Sequence, residues 1–258
     1  MAEGDSILRL ARRLDGALAG DTVAVRTPGP RRPEGRPAAD LDGQVLERAE
    51  SRGKHLLLHF SDGLVLHSHL GMKGGWHLYR RGERWRKPAR AAWIALSNGE
   101  VEAVNFNGTA MRIVRGGELA RDPRLSRLGP DLLADDFDPG RGVASLRSGG
   151  AATELGEALL DQTLVAGIGN IFKSEGCWAV RLDPWAPLGD LSDEQLGEVL
   201  TATRDLMLAA VESGRQPKRV YRRPGMPCPR CRGRIQSHPQ GDSARMTYWC
   251  PDCQRALT

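Results

Sequence analysis

The sequence lacks an apolar run of the length that a membrane-spanning helix needs, about 18 residues or more. Its hydrophobic content, 40% of 258 residues, is spread over shorter stretches. No membrane partner is therefore expected. Its first residues, Met1 to Ser6, lack the apolar stretch of a secretory signal. A cytoplasmic compartment is expected, where cysteines stay reduced. No internal repeat or low-complexity array is visible, which leaves one large or two small globular domains. Lysine is scarce, with 5 against 32 arginines, a bias that codon usage alone could produce. The net charge of +5 becomes informative only through its distribution.

That distribution is uneven. Positions 214–258 hold ten basic groups and two acidic ones, a net of +8, while the rest of the chain sums to −3. A second island, Arg80, Arg81, Arg84, Arg86, Lys87 and Arg90, contains one acid, Glu83, and interleaves Trp85. Charge runs of this kind either face water or meet a polyanion.

Periodicity divides the chain. Ile7, Leu8, Leu10, Ala11, Leu14 and Leu18 share one face of a helix over Ser6 to Leu18, with Asp5 or Ser6 as its cap. From Thr22 to Val114 short alternating runs (23–25, 55–60, 64–69, 92–96 and 111–114), separated by Gly, Asp and Asn, predict a β-sandwich or barrel. Thr27 to Pro37 reads as an exposed loop and Asp131 to Gly150 as a linker. Helices are expected over Thr153 to Leu160 and Ile171 to Val180, with a glycine-bearing turn, Val165 to Asn170, between them. A longer helix opens at a Ser192–Gln195 capping box and closes at Gly214. The class is α+β: a leading helix and N-terminal β-sandwich (1–125), a linker (126–150), a helical domain (151–214) and a small basic module (215–258).

The cysteines fall in the pattern Cys228-x2-Cys231-x18-Cys250-x2-Cys253. Two such knuckles on a hairpin deliver four thiolates to one tetrahedral Zn²⁺, and a four-thiolate shell with no open position makes the metal structural. A module this small has too little core to hold itself without the metal. Cys177 stands apart on an apolar helix and reads as core. His67 and His69 share a strand face, as do His55 and His59; such pairs are expected to face solvent, since no third ligand has convincing spacing.

Several segments together resemble the formamidopyrimidine-DNA glycosylase/endonuclease VIII family. They are Glu3-Gly4-Asp5, Ser51 to His55, Leu159-Leu160-Asp161-Gln162, Gly167-Ile168-Gly169-Asn170-Ile171, and Arg245-x4-Cys250-Pro251-x-Cys253-Gln254, in family order over nearly the whole chain. Leu128 to Leu133 resembles the endonuclease VIII side, particularly its actinobacterial branch. The resemblance implies a helix-two-turn-helix domain at 151–214 and a zinc ribbon at 215–258. It implies a monomeric, nucleoid-associated bacterial enzyme whose partner is damaged DNA, with the damaged base flipped into a cleft between the domains.

The implied chemistry begins when removal of Met1 frees an N-terminal amine, which attacks the anomeric carbon of a damaged nucleotide. The nucleophile would be Ala2 where the family usually has proline, so the amine is primary instead of secondary. Glu3 matches the general acid/base, Lys54 the catalytic lysine in its strand context, and Arg245 the catalytic arginine at the ribbon tip, which grips phosphate and aids the second of the two phosphate eliminations that follow Schiff-base formation. For DNA binding, Asn170 matches the phosphate-gripping residue of the turn, Lys173 follows on the same helix, and Met72 matches the wedge that fills the gap left by the flipped base. Phe106 is the sole candidate to support the orphaned base, because Asn105-Phe106-Asn107-Gly108 replaces the arginine-phenylalanine pair of many relatives. Only positions 212–227 separate Val211 from Cys228, too few for the long lesion-capping loop of an 8-oxoguanine enzyme. Oxidised pyrimidines, hydantoins, or lesions in single-stranded or crosslinked DNA are the expected substrates. The alternatives are a monofunctional glycosylase for crosslinks or bulky adducts, and a non-catalytic protein that binds damaged DNA. Salt-dependent affinity is expected to come chiefly from the basic tail.

Overall fold

In a computed structural model the described residues are 2–242 and 244–254; Met1 and Arg255 lie outside them. The chain forms two compact units, one of Ala2 with Ser6–Ser126, the other of Glu3–Asp5 with the chain from Arg127 onward.

The first unit begins with α1 (Gly4–Leu18), which starts before its apolar spacing suggested, so Asp5 and Ser6 lie inside the helix rather than capping it. Ile7, Leu10, Ala11, Leu14 and Leu18 turn one face of α1 into the core, as the i, i+3, i+4 spacing requires. Nine strands follow: β1 (Ala24–Arg26), β2 (Glu34–Gly35), β3 (Leu46–Arg52), β4 (His55–Phe60), β5 (Leu64–His69), β6 (Gly75–Arg80), β7 (Ala92–Ser97), β8 (Val101–Phe106) and β9 (Ala110–Arg115). They make a four-stranded sheet, β1-β7-β8-β6, and a five-stranded sheet, β2-β9-β5-β4-β3.

Strand alternation decides what each face does. Leu56, Leu58 and Phe60 of β4, Leu64 and Leu66 of β5, and Met111 and Ile113 of β9 join Trp76, Ile94, Leu96 and Ala103 of the other sheet in one core. On the opposite face of β8, Val104 and Phe106 form a small second cluster with Tyr79, Ala92 and Ala95, covered by Trp85. Short helices α2 (Gly116–Ala120) and α3 (Pro123–Ser126) close the unit.

The second unit contains α4 (Pro139–Arg147), α5 (Leu155–Ala158), α6 (Asn170–Ala179), α7 (Asp193–Ser213) and the hairpin β10 (Gln236–Gln240)/β11 (Arg245–Trp249). The segment expected to be a linker is instead built into this unit. Gly129 N–H donates to Gln162 O at 3.0 Å, Asp131 bridges to Ala166, and α4 buries Val143 and Leu146. Its periodicity was too short to read, but its start signal is plain: the Asp138 side chain accepts from Arg141 N–H at 2.7 Å, with Pro139 in the first turn. The Ser192–Gln195 capping box and the left-handed Gly214 bound α7 as the sequence indicated. Helix α6 is the axis of the unit, buried from Asn170 through Trp178. Among the described residues no helix is long and apolar enough to cross a membrane.

Candidate active site and metal centre

Two glycines at the start of α6 make room for a carboxylate. Gly167 has φ +99°, a left-handed conformation that other residues rarely adopt, and its carbonyl accepts Gly4 N–H at 2.9 Å. A Cβ on Gly169 would overlap Cγ and Cδ of Glu3. Glu3, fully buried, fills that space and accepts N–H bonds from Ile171 at 2.9 Å and Phe172 at 3.3 Å. The carboxylate therefore caps α6, where unpaired N–H groups and the helix dipole favour negative charge by up to ~2 kcal/mol. Gln162 braces the turn from outside: its amide donates to Ile168 O at 3.0 Å and accepts from Gly167 N–H at 3.1 Å. The separated motifs Glu3-Gly4, Gln162 and Gly167 to Ile171 thus form one constellation. Next in the chain, Asp5 is buried and accepts two bonds from Gln216 Nε2 at 3.0 and 3.1 Å.

In the first unit, Ala2 packs partly buried against the core that includes α1. Lys54 lies in the two-residue turn between β3 and β4, after left-handed Gly53, rather than in a strand. Its charge helps lower the pKa of His69, after the larger effect of burial. Met72 is 75% exposed, so it contributes nothing to the core. Its loop is braced from below. Gly74 N–H donates to Leu70 O at 3.0 Å, Thr109 N–H to His69 O at 3.1 Å, and the Thr109 hydroxyl to Leu70 O at 3.2 Å.

Two expected DNA contacts are corrected. Phe106 is 0% exposed, with His77 and Trp85 edge-on to its ring at 5.2 and 5.6 Å, so it cannot stack on an orphaned base. Lys173 is equally buried and donates to the Thr247 hydroxyl and to Gln240 Oε1 at 3.4 Å; burial lowers its pKa to about 8. Asn170 also has another partner than phosphate: Nδ2 donates to Met246 O at 2.8 Å, and Oδ1 is buried without a partner. Lys173 and Asn170 tie α6 to β11 and so set the position of Arg245, which is exposed where β11 leaves the hairpin turn.

The expectation of solvent-facing histidines also fails. His67 is 4% exposed, its Nε2 lies 2.8 Å from His55 Nδ1, and the His55 ring is 5.0 Å from that of His69. Burial lowers the pKa to about 3 for His55 and about 4 for His67, with neighbouring cations and imidazoles contributing.

The sequence reading missed Glu175, a buried acid inside the apolar α6. Its carboxylate accepts the N–H groups of Arg219, Val220 and Tyr221 at 2.8 to 2.9 Å. A lone acid in an apolar helix is itself a signal, since a buried charge demands donors. With Asp5–Gln216, Glu175 pins the short connector between α7 and the cysteines.

The four cysteine sulfurs lie within 4.8 Å of one another, with Cys228–Cys253 at 3.8 Å and Cys231–Cys250 at 3.5 Å. A tetrahedron with Zn–S arms of about 2.3 Å has edges of about 3.8 Å, so this donor set fits Zn²⁺. Gly233 N–H and the Trp178 indole N–H point at Cys231 and Cys228, each at 3.4 Å. The Arg230 guanidinium lies 4.2 Å from the Trp178 ring centroid and donates to the carbonyls of Trp178 and Ala179. The end of α6 is therefore part of the ribbon's small core. Cys177 is buried as expected, its thiol pushed up to about 12 by burial.

Residues 1–112 match the formamidopyrimidine-DNA glycosylase N-terminal domain, and 128–221 the formamidopyrimidine-DNA glycosylase H2TH domain. A probable endonuclease 8 2 of Streptomyces coelicolor is 39% identical over 98% of this chain and 94% of its own length. The chain belongs to the formamidopyrimidine-DNA glycosylase/endonuclease VIII family. A second relative in the family, the DNA-(apurinic or apyrimidinic site) lyase Nei2 of Mycolicibacterium smegmatis, is 34% identical over 99% of this chain and all of its own. The family fold is seen in the Lactococcus lactis formamidopyrimidine-DNA glycosylase bound non-covalently to DNA with an abasic site. It superposes with a TM-score of 0.84 at 23% identity, covering 98% of this chain and 100% of that one.

Proposed function

We propose that the chain is a DNA-repair glycosylase with abasic-site lyase activity, acting as a monomer on damaged DNA in the bacterial cytoplasm and nucleoid. One observation carries the reading: the Glu3 carboxylate is buried on the N-terminus of α6, immediately after Ala2 in the chain. Once Met1 is removed, the Ala2 amine attacks C1′ of the flipped nucleotide. The glycosidic bond breaks, and the base leaves with a proton from solvent. Glu3 takes the proton that the amine loses on bonding to C1′ and delivers it to O4′ as the C1′–O4′ bond opens, leaving a protonated imine between Ala2 and C1′. Loss of a C2′ proton then breaks the C3′–O3′ bond and cuts the strand. An α-amine ordinarily titrates near 7.7 to 8.0, so a useful neutral fraction exists at neutral pH without burial.

Lys54 and Arg245 serve as cations for the flanking phosphates, and Met72 as the wedge in the stack. Zn²⁺ held by Cys228, Cys231, Cys250 and Cys253 has a structural role, fixing the ribbon that carries Arg245. Oxidised pyrimidines, hydantoins, or lesions in single-stranded or crosslinked DNA are the substrates. Buried Phe106 supports this reading, since it leaves the orphaned base without an aromatic partner, as does the short connector pinned by Glu175 and Asp5.

Base release and strand cleavage on thymine glycol, hydantoin, crosslinked and abasic DNA, with borohydride trapping, test the proposal. Wild type should release base and form an adduct, and Glu3→Gln should lose on the order of 10² to 10⁴ in base release while still binding DNA. Base release without an adduct would identify a monofunctional glycosylase, and binding without release a damage-binding protein.

A further inference from the structure

The basic island at 80–90 has no part in the chemistry above, yet its exposed arginines sit on a loop that is anchored to the sheet. Between β6 and β7 the chain crosses the outer face of the four-stranded sheet and is fixed there at several points. The Trp85 indole N–H donates to Glu102 Oε2 at 2.7 Å, and the Trp85 ring meets Phe106 edge-on. Arg86 N–H donates to the Tyr79 hydroxyl at 3.2 Å. Glu102 is 6% exposed and also accepts from Arg26 of β1. A buried carboxylate between a guanidinium and an indole N–H strongly constrains what it holds.

The outcome is a groove of about 850 Å³, lined among others by Arg26, Arg81, Arg84, Arg86, Lys87 and Trp85. The acids in its lining are Glu83 and Glu102, and Arg26 already compensates Glu102. Four of the five cations are arginines, whose planar forks match phosphate oxygens two at a time. Half-buried Trp85 adds aromatic surface beside them, the combination with which proteins hold single-stranded nucleic acid. The concentration is specific, because the chain outside the C-terminal tail sums to −3. The groove is also distinct from the wedge: Met72 precedes the six-residue β6 and the island follows it, a separation of roughly 20 Å along an extended strand.

We propose that this groove is a second DNA site, which holds the phosphodiester backbone of single-stranded DNA extending beyond the lesion. The inference rests on the reading of the chain as an enzyme of damaged DNA. A groove of this size, with cations from β1 and from the loop in its lining, matches the width of one backbone.

The test compares wild type, the triple variant Arg81→Ala/Arg84→Ala/Arg86→Ala and Glu102→Gln. Each is titrated with a blunt duplex just covering the lesion, the same duplex with a single-stranded extension, and the same duplex extended as double strand, across salt concentrations. Wild type should bind the single-stranded extension more tightly than the blunt duplex. The triple variant should lose that gain, and its slope of log affinity against log salt should fall by about 2, three contacts at ~0.7 each. Glu102→Gln keeps the arginines but releases the loop, and should lose part of the same gain; both variants should bind and process the blunt duplex as wild type does. No gain in wild type, or a gain retained by the triple variant, overturns the proposal. An equal gain from the double-stranded extension overturns the single-strand assignment, and displacement by an acidic peptide with no effect of either extension identifies a protein partner instead. Should wild type release base from no substrate yet show the groove-dependent gain, the proposed enzymatic function fails and the second DNA site stands.

Discussion

Gly169 is the space that Glu3 occupies. No other residue at 169 leaves the Glu3 carboxylate in place, since a Cβ would overlap its Cγ and Cδ. Gly169→Ala should therefore displace Glu3 from the N–H groups of Ile171 and Phe172 while leaving the remainder of α6 folded. Misplacing a reacting group by about 1 Å costs on the order of 10²-fold in rate. Single-turnover base release should fall by that order, with thermal stability lowered far less than activity; release at the wild-type rate would separate Glu3 from the chemistry.

Met72 offers the converse case, an exposed apolar side chain without packing to lose. Met72→Ala should leave stability within about 0.5 kcal/mol of wild type, as for other surface changes. Base release from duplex DNA should drop, because the unstacked site loses its filler, while release from a single strand should hold. Comparing the rates on paired and unpaired forms of one lesion checks this.

The cysteine tetrad predicts metal-dependent folding of the ribbon alone. Cys231→Ser, or removal of Zn²⁺ by a strong chelator, should unfold residues 228–253, since a module this small relies on its metal for folding free energy. The fluorescence of Trp178, which packs on Cys228, should report the transition. Affinity for DNA should fall with it as Arg245 loses its fixed position. One equivalent of Zn²⁺ should restore both.

Acid should destabilise the first unit through its histidines. His55 and His67 have folded pKa values of about 3 and about 4, below the ordinary 6.5. Between those limits the unfolded chain binds more protons than the folded one, so stability is full above about 6.5 and is lost as pH falls toward 4. His67→Gln should flatten this part of the profile, measured as melting temperature against pH relative to wild type. An unchanged slope would show that the imidazoles keep their ordinary affinity for protons.

Much of the fold was legible because its signals are local. The apolar face of α1, the limits of β4 and β5, the Ser192–Gln195 box and Gly214 each follow from neighbours within a few residues. The linker reading failed at 139–147 because a nine-residue helix offers too few turns for periodicity to show, although Asp138-Pro139 marked its start. For the site, spacing carried the cysteines, while Glu3 and the glycines were placed by the motifs that resemble the family. Phe106 and Lys173 could not be placed the same way. Whether an aromatic ring or a cation reaches solvent depends on which segment crosses above it, here Trp85 over Phe106 and the β10/β11 hairpin over Lys173.

The sequence by itself determined the two-part architecture and the cysteine tetrad, which periodicity and spacing encode directly, and its motifs carried the resemblance to the family. Tertiary structure alone decided that Glu3 caps α6 across 168 residues of sequence, that three histidines are drawn together on one sheet face, and that an arginine-rich loop is fixed over a buried glutamate. Each of these depends on burial and on donors supplied from distant segments. Those segments are brought together by the packing of apolar faces, which residue spacing cannot reveal.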